Sequence, residues 1–201
     1  MNMEQVYSAG AVSRPFWFVE FKKVANLLNQ GLSSDEVREK VLSENLFDVA
    51  KEYRAKEILN GVFRRIKMLD SKGVALFCES DMSTMKLIEF INIMQTDRLL
   101  AEFMNEVYHE KIVVGDYDLR DADFNTYFKR KQDIDEGLMS LKDYTLKKLR
   151  NSYVNYMVEA GLVSRMGDVR TITPPLMTEE LRNYLKSTEM GSCVGVLTGV
   201  R

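Results

Sequence analysis

Residues 144–175 read YTLKKLRNSYVNYMVEAGLVSRMGDVRTITPP. Placed on a helix at about 100° per residue, the first half of this stretch separates into two faces. Leu146, Leu149, Tyr153, Tyr156, Met157 and Ala160 fall in one apolar arc. Tyr144, Lys147, Lys148, Asn151 and Asn155 fall opposite, with Arg150 at the flank. A solvated helix face ordinarily mixes signs and uses Glu–Lys pairs. This one has no acid between Tyr144 and Glu159. Cations suit phosphate oxygens, and the amides suit phosphates or adenine edges.

The second half of the stretch gives this helix a context. Gly161 suits the left-handed position beyond a helix end. Residues 162–164 (Leu-Val-Ser) and 169–172 (Val-Arg-Thr-Ile) are spaced to pair as a hairpin across 165–168, stopped by Pro174-Pro175. A long basic helix and then a small hairpin, with Arg165 and Arg170 at its tip and exit, is the layout of a winged helix-turn-helix. There the helix enters a major groove and the wing touches the flanking backbone. The positioning helix falls at 121 to about 134. Its connection to the next helix exceeds the about 3–4 residues of the tight motif, a departure from the pattern.

Working outward, the chain reads as a series of helices with short connections. Pro15 suits a first helical turn, and Phe16, Val19, Phe21, Val24, Leu27 and Leu28 recur at helical spacing up to Gly31. Ser33 or Ser34 with Asp35 and Glu36 caps a short second helix. A third covers about 50–70. The apolar run 74–78 is ambiguous in type. Ser83 or Thr84 caps a segment at 87–94, and Thr96-Asp97 restarts a helix that ends near Gly115. GDYDL reads as a connector. Ser140 or Asp143 caps the long helix, Thr178 opens a last one, and the segment 187–201 reads as frayed or as an accessory strand. The domains expected are an N-terminal helical one at 1–115 with a helix-turn-helix-like unit, a winged-helix-like one at 116–186, and a tail at 187–201. The fold class is mainly α, a helical bundle with helix-turn-helix-like units and a small C-terminal winged-helix hairpin.

The 201 residues carry a net charge of −2, but the charge is uneven. Residues 51–72 hold seven Lys/Arg against three Asp/Glu, and residues 142–170 hold six against three. A basic surface on an acidic body is compatible with a polyanionic partner. On the helix at 50–70, Tyr53, Lys56, Asn60, Arg64 and Lys67 lie opposite the apolar face, although Glu57 is there too. A solvated face is the simpler reading of that helix. An acidic partner protein would also suit either basic face.

Other chemistry is weakly signalled. The single histidine, His109, stands near Glu106 and Glu110, but no second His or nearby Cys completes a metal site. Asp116, Asp118, Asp121 and Asp123 cluster without the later Gly and closing Glu of a calcium loop, and read as a connector and helix cap. No phosphate-binding, dinucleotide or nucleophile-elbow motif occurs. The two cysteines, Cys78 and Cys193, suggest neither a disulfide framework nor zinc and fit a reducing cytoplasm. The first residues do not read as a signal peptide, and no window reaches the about 18 apolar residues of a membrane span. Neither catalytic residue, metal nor cofactor is expected.

Six segments together, SRPFWFVEFKKVANLL, GLSSDEVREKVLSENLF, IMQTDRLLAEFMNEVYHEK, GDYDL, KLRNSYVNYMVEAGL and TITPPL, resemble the BrxA family of bacteriophage exclusion (BREX) defence systems. The resemblance covers about 7–186. It implies a mainly helical protein of two globular parts, binding double-stranded DNA without catalysis. Its setting would be a multi-protein system that blocks phage replication and includes an adenine-specific DNA methyltransferase. Such proteins are also similar to the NusB antitermination fold, which would suggest RNA. The family supplies no residue motif to carry over, so the DNA-binding candidates rest on helix geometry: Lys147, Lys148, Arg150, Asn151, Asn155, Arg165 and Arg170, with Lys56, Asn60, Arg64 and Lys67 in the N-terminal half. The expected partners are double-stranded DNA and other proteins of the system, with no membrane and no small-molecule substrate.

Overall fold

The computed structural model describes residues 6–166 and 169–200. The chain is mainly α, with one small antiparallel hairpin among the described residues, and forms two compact units. One unit is Phe16–Thr96; the other joins Met1–Pro15 to Asp97–Arg201. This differs from the segments expected at 1–115, 116–186 and 187–201. The helix beginning at Arg98 shares its core with the helices after residue 120.

In the first unit, α1 (Phe18–Asn29), α2 (Ser34–Ser43), α3 (Glu52–Ile66), α4 (Ser71–Glu79) and α5 (Met82–Thr96) pack together. Local chemistry sets their starts. Ser33 and Glu36 form a reciprocal capping box, the Ser33 hydroxyl accepting from the Glu36 amide at 3.3 Å and the Glu36 carboxylate from the Ser33 amide at 2.8 Å. Asp70 accepts from the Gly73 amide at 2.8 Å, so the ambiguous run 74–78 is helical. Asp81, not Ser83 or Thr84, caps α5, accepting from both their amides at 2.8 and 3.0 Å. α5 is buried on almost every side, including Glu89 and Asn92. That is the position of an apolar helix within a core.

The first helix starts later than Pro15 because Trp17 is left-handed, with φ of 59°. That turn sends its ring into the core against Gly61 and beneath the Arg65 guanidinium, 5.1 Å from the ring centre. Arg65 also donates to the Phe16 carbonyl and lies 3.4 Å from Glu89. Among the basic residues counted at 51–72, this cation is therefore interior.

In the second unit, α6 (Arg98–Phe103), a π-helical stretch (Met104–His109) and α7 (Glu110–Val114) run as one interrupted helix ending at Gly115, whose φ of 75° needs glycine. Then come α8 (Asp121–Gln132), α9 (Glu136–Met139), α10 (Asp143–Glu159), β1 (Val163–Met166), β2 (Val169–Ile172), α11 (Glu179–Lys186) and α12 (Ser192–Thr198). Phe103 stacks on Phe124 at 4.4 Å and meets Tyr127 edge-on at 5.3 Å, and Phe128 lies 6.2 Å from Tyr153. The buried tyrosines place their hydroxyls on partners, Tyr127 on the Leu99 carbonyl at 2.6 Å and Tyr153 on Asp97 at 3.1 Å.

The hairpin pairs Val163 with Ile172, Ser164 with Thr171, Arg165 with Arg170 and Met166 with Val169. Arg165 therefore sits within a strand and not at the tip; the expected tip, Gly167-Asp168, lies outside the described residues. GDYDL is more than a connector. Asp118 bridges Thr171, the Leu119 amide donates to the Arg170 carbonyl at 2.9 Å, and the Ile172 amide donates to the Tyr117 carbonyl at 2.8 Å. The residues expected as a frayed tail or strand instead form α12, which buries Cys193, Val194, Val196 and Leu197 against the π-helical stretch. Those positions follow the i, i+3, i+4 pattern of one helix face. Among the described residues, no helix is long and apolar enough to cross a membrane.

Gly61 offers a test of this packing. A Cβ there would stand 2.2 Å from the Trp17 ring. Replacing a helix glycine by alanine ordinarily gains about 1 kcal/mol, but overpacking a core costs about 1–3 kcal/mol. Gly61→Ala should therefore lower the melting temperature by a few degrees, and an unchanged or raised melt would contradict the placement of Trp17.

Candidate nucleic-acid interface

The inward face of α10 is held by Leu149, Tyr153, Val154, Tyr156 and Met157, all buried. Lys147, Lys148, Asn151 and Asn155 are consequently exposed together, as the helical numbering predicts. Lys148 lies 4.6 Å above the Tyr144 ring, a cation–π contact between exposed neighbours.

Arg150 and Arg170 differ from these. Arg150 Nη1 pairs with Asp121 Oδ2 at 2.6 Å, and its side chain is 13% exposed. Arg170 pairs with Asp121 Oδ1, donates from Nε to the Leu119 carbonyl at 3.1 Å and lies over the Phe124 ring. One carboxylate thus serves two guanidiniums. The Arg170 hydrogen bond, with the charges of Arg170, Arg150 and Lys147, keeps the Asp121 carboxyl below the usual carboxylate range against its partial desolvation. Both arginines are structural ion-pair members as the chain stands, a different situation from the open phosphate donors expected of them. Arg165 is exposed and faces Arg170 across the hairpin.

These groups meet around a cleft of about 490 Å³, whose lining includes Arg120, Asp121, Arg150, Asn151, Arg165 and Arg170. Arg120 and Asp121 were not picked out by sequence reasoning as members of a basic site. Nothing local signals them, since Asp121 meets Arg170 across 49 positions. The remaining acids of that cluster are also paired with bases, Asp116 with Lys111 at 2.7 Å, Asp118 with Arg120 at 2.9 Å and Asp123 with Lys111 at 3.3 Å. They act as counter-ions as well as connector and cap.

Of the N-terminal candidates, Lys56, Asn60 and Arg64 are exposed on α3 but are engaged within their own unit. Lys56 pairs with Glu52 at 2.6 Å, the Asn60 carbonyl oxygen accepts from Arg38 at 3.0 Å, and Arg64 donates to the Thr96 carbonyl at 3.0 Å. Lys67 stands at a separate groove beside Phe63, Ile66 and Leu69. The simpler reading, a solvated helix face, describes Lys56, while Asn60 and Arg64 tie α3 to its neighbours.

Fold and surface together define a mainly α chain whose C-terminal unit presents a basic helix followed by a small hairpin. Comparison with known proteins gives the particular kinship. The chain matches the BrxA family over residues 5–189. It is 41% identical over 199 residues to the BREX protein BrxA of Bacillus cereus (strain H3081.97), covering 99% of this chain and 100% of that protein. The chain belongs to the BrxA family. Its fold is similar to the crystal structure of an uncharacterized protein from Magnetospirillum magneticum, with a TM-score of 0.79 at 18% identity, over 96% of this chain and 97% of that one.

The two kinds of cation should separate in stability measurements. Arg170→Ala removes hydrogen bonds to a carbonyl and a carboxylate and should cost about 2 kcal/mol in urea unfolding. The double change Lys147→Ala with Lys148→Ala should stay within about 0.5 kcal/mol of the parent, as surface substitutions do. Equal effects from the two would contradict the distinction.

Proposed function

We propose that this chain is a non-catalytic, cytoplasmic accessory protein of a BREX phage-defence system that binds double-stranded DNA, mainly through phosphates and with low sequence specificity. The observation that carries this reading is the solvent face of α10, where Lys147, Lys148, Asn151 and Asn155 are exposed together and the helix itself has no acid between Tyr144 and Glu159. The order of elements supports it. An extended stretch at 117–119, then α8, α10 and the hairpin of β1 and β2 succeed one another as in a winged helix-turn-helix. The short α9 accounts for the long connection between α8 and α10. In this reading α10 lies in a major groove, Lys147 and Lys148 neutralise phosphates, Asn151 and Asn155 reach phosphates or base edges, and Arg165 on the hairpin meets the flanking backbone. Other proteins of the same system are the expected partners, as family membership supports.

Fluorescence anisotropy with mixed-sequence duplexes at several salt concentrations tests this. Affinity should fall with salt at a log–log slope of about −0.9 per phosphate contacted. Lys147→Ala with Lys148→Ala should weaken binding on every sequence alike and make the slope shallower by about 2. No binding at ~50 mM salt, or an affinity indifferent to salt, would overturn the proposal.

A further inference from the structure

The cleft beside α10 is rich in arginine, but its lining also carries the acids Asp118 and Asp121. Arg120, Arg150, Arg165, Arg170 and Asn151 all line it. Two of those guanidiniums converge on Asp121, whose carboxylate oxygens divide between them, Oδ2 to Arg150 at 2.6 Å and Oδ1 to Arg170. A carboxylate held between arginine forks presents much the same geometry as a phosphate held there.

Exposure shows which partner an incoming ligand meets. The Asp121 side chain is 51% exposed, while those of Arg150 and Arg170 are 13% and 14% exposed. The anion therefore stands nearer the solvent than the cations do. The pairing is also incomplete, because the Nε of Arg150 is buried without an acceptor. Arg170 does not depend on Asp121 for its position, since the Leu119 carbonyl and the Phe124 ring hold it independently. The start of α8 does not depend on Asp121 either, because Asp123 accepts from the Arg120 amide at 2.7 Å.

We infer that Asp121 is an internal competitor for backbone phosphate: it holds Arg150 and Arg170 in the resting chain and a DNA phosphate displaces it, so that this carboxylate limits affinity for DNA. The inference rests on the DNA-binding reading of the same surface. It goes beyond that reading by naming the acid that opposes binding and the two arginines released. Arg150 and Arg170 become phosphate contacts only after exchange, whereas Lys147 and Lys148 are available from the first encounter. The depressed carboxyl of Asp121 stays ionised at neutral pH, so relief comes from a competing anion and not from a proton.

Comparing Asp121→Asn with Asp118→Asn in the full chain tests this. Both raise the net charge by one and both alter the wall of the cleft, but Asp118 pairs with Arg120 and leaves Arg150 and Arg170 untouched. In duplex anisotropy at about 100 mM salt, Asp121→Asn should bind about tenfold tighter than the parent, with a salt slope close to the parent's because the same phosphate is engaged in both. Asp118→Asn should gain less than about threefold, with the slope unchanged. Adding Arg150→Met to Asp121→Asn should remove much of the gain, while Arg150→Met alone should change affinity little. If Asp121→Asn does not fold, Asp121→Ser takes its place, with the same expected gain. Equal behaviour of the Asp121 and Asp118 variants, or weaker binding by the Asp121 variant, would overturn the inference while leaving the DNA reading intact. Absence of duplex binding by parent and variants alike would overturn both.

Discussion

Tyr153 is wholly buried within the second unit, its ring among Phe103 and Phe128 and its hydroxyl on Asp97 at the start of α6. That placement sets the rotation of α10 about its axis. At about 100° per residue, Lys148, Asn151, Asn155 and Lys147 lie between about 140° and 240° from Tyr153, away from the core. Arg150 lies only about 60° away, which brings it back towards α8 and Asp121. The surface that could meet a polyanion and the ion pair that opposes it both result from one packing constraint. Asp97 joins the two ends of this arrangement, since the same carboxylate oxygen also accepts from the Leu100 amide and caps α6.

The C-terminal unit consequently holds two populations of positive charge. Lys147 and Lys148 are exposed on long flexible stems and cost the fold little. Arg150 and Arg170 are enclosed, share one carboxylate and contribute to the seam between α8, α10 and β2. A charge count over residues 142–170 treats these groups alike, but desolvation and pairing do not. The cleft's arginines are offset in part by Asp118 and Asp121, which is compatible with a protein that meets duplex DNA without holding any one site tightly. The charge of the exposed lysines would dominate first encounter, because unpaired surface charge acts at the longest range.

Much of the helical framework was legible in the sequence because its signals are local. Ser33 with Glu36, Asp97, Gly115, Gly161 and Thr178 each mark a boundary through hydrogen bonds or backbone freedom a few positions away. The two runs around residues 165–168 likewise announced a hairpin. The features that escaped depended on distant partners. Trp17 turns left-handed because its ring finds Gly61 and Arg65. Residues 117–119 extend because β2 offers an edge, and α12 forms where the π-helical stretch receives its apolar face. At the candidate site, helical numbering placed Lys147, Lys148, Asn151 and Asn155 correctly on the surface. It had no means of foreseeing that Asp121 would take up Arg150 and Arg170, 29 and 49 positions away.

In the proposed function, duplex DNA lies across the exposed face of α10. Acetylation of lysines in the presence and absence of a saturating duplex, read by mass spectrometry, measures this most directly. Lys129, whose side chain is 76% exposed on α8, serves as the internal reference. DNA should protect Lys147 and Lys148 while Lys129 reacts as before. Unchanged reactivity of Lys147 and Lys148 in a chain shown to be DNA-bound would contradict the claim.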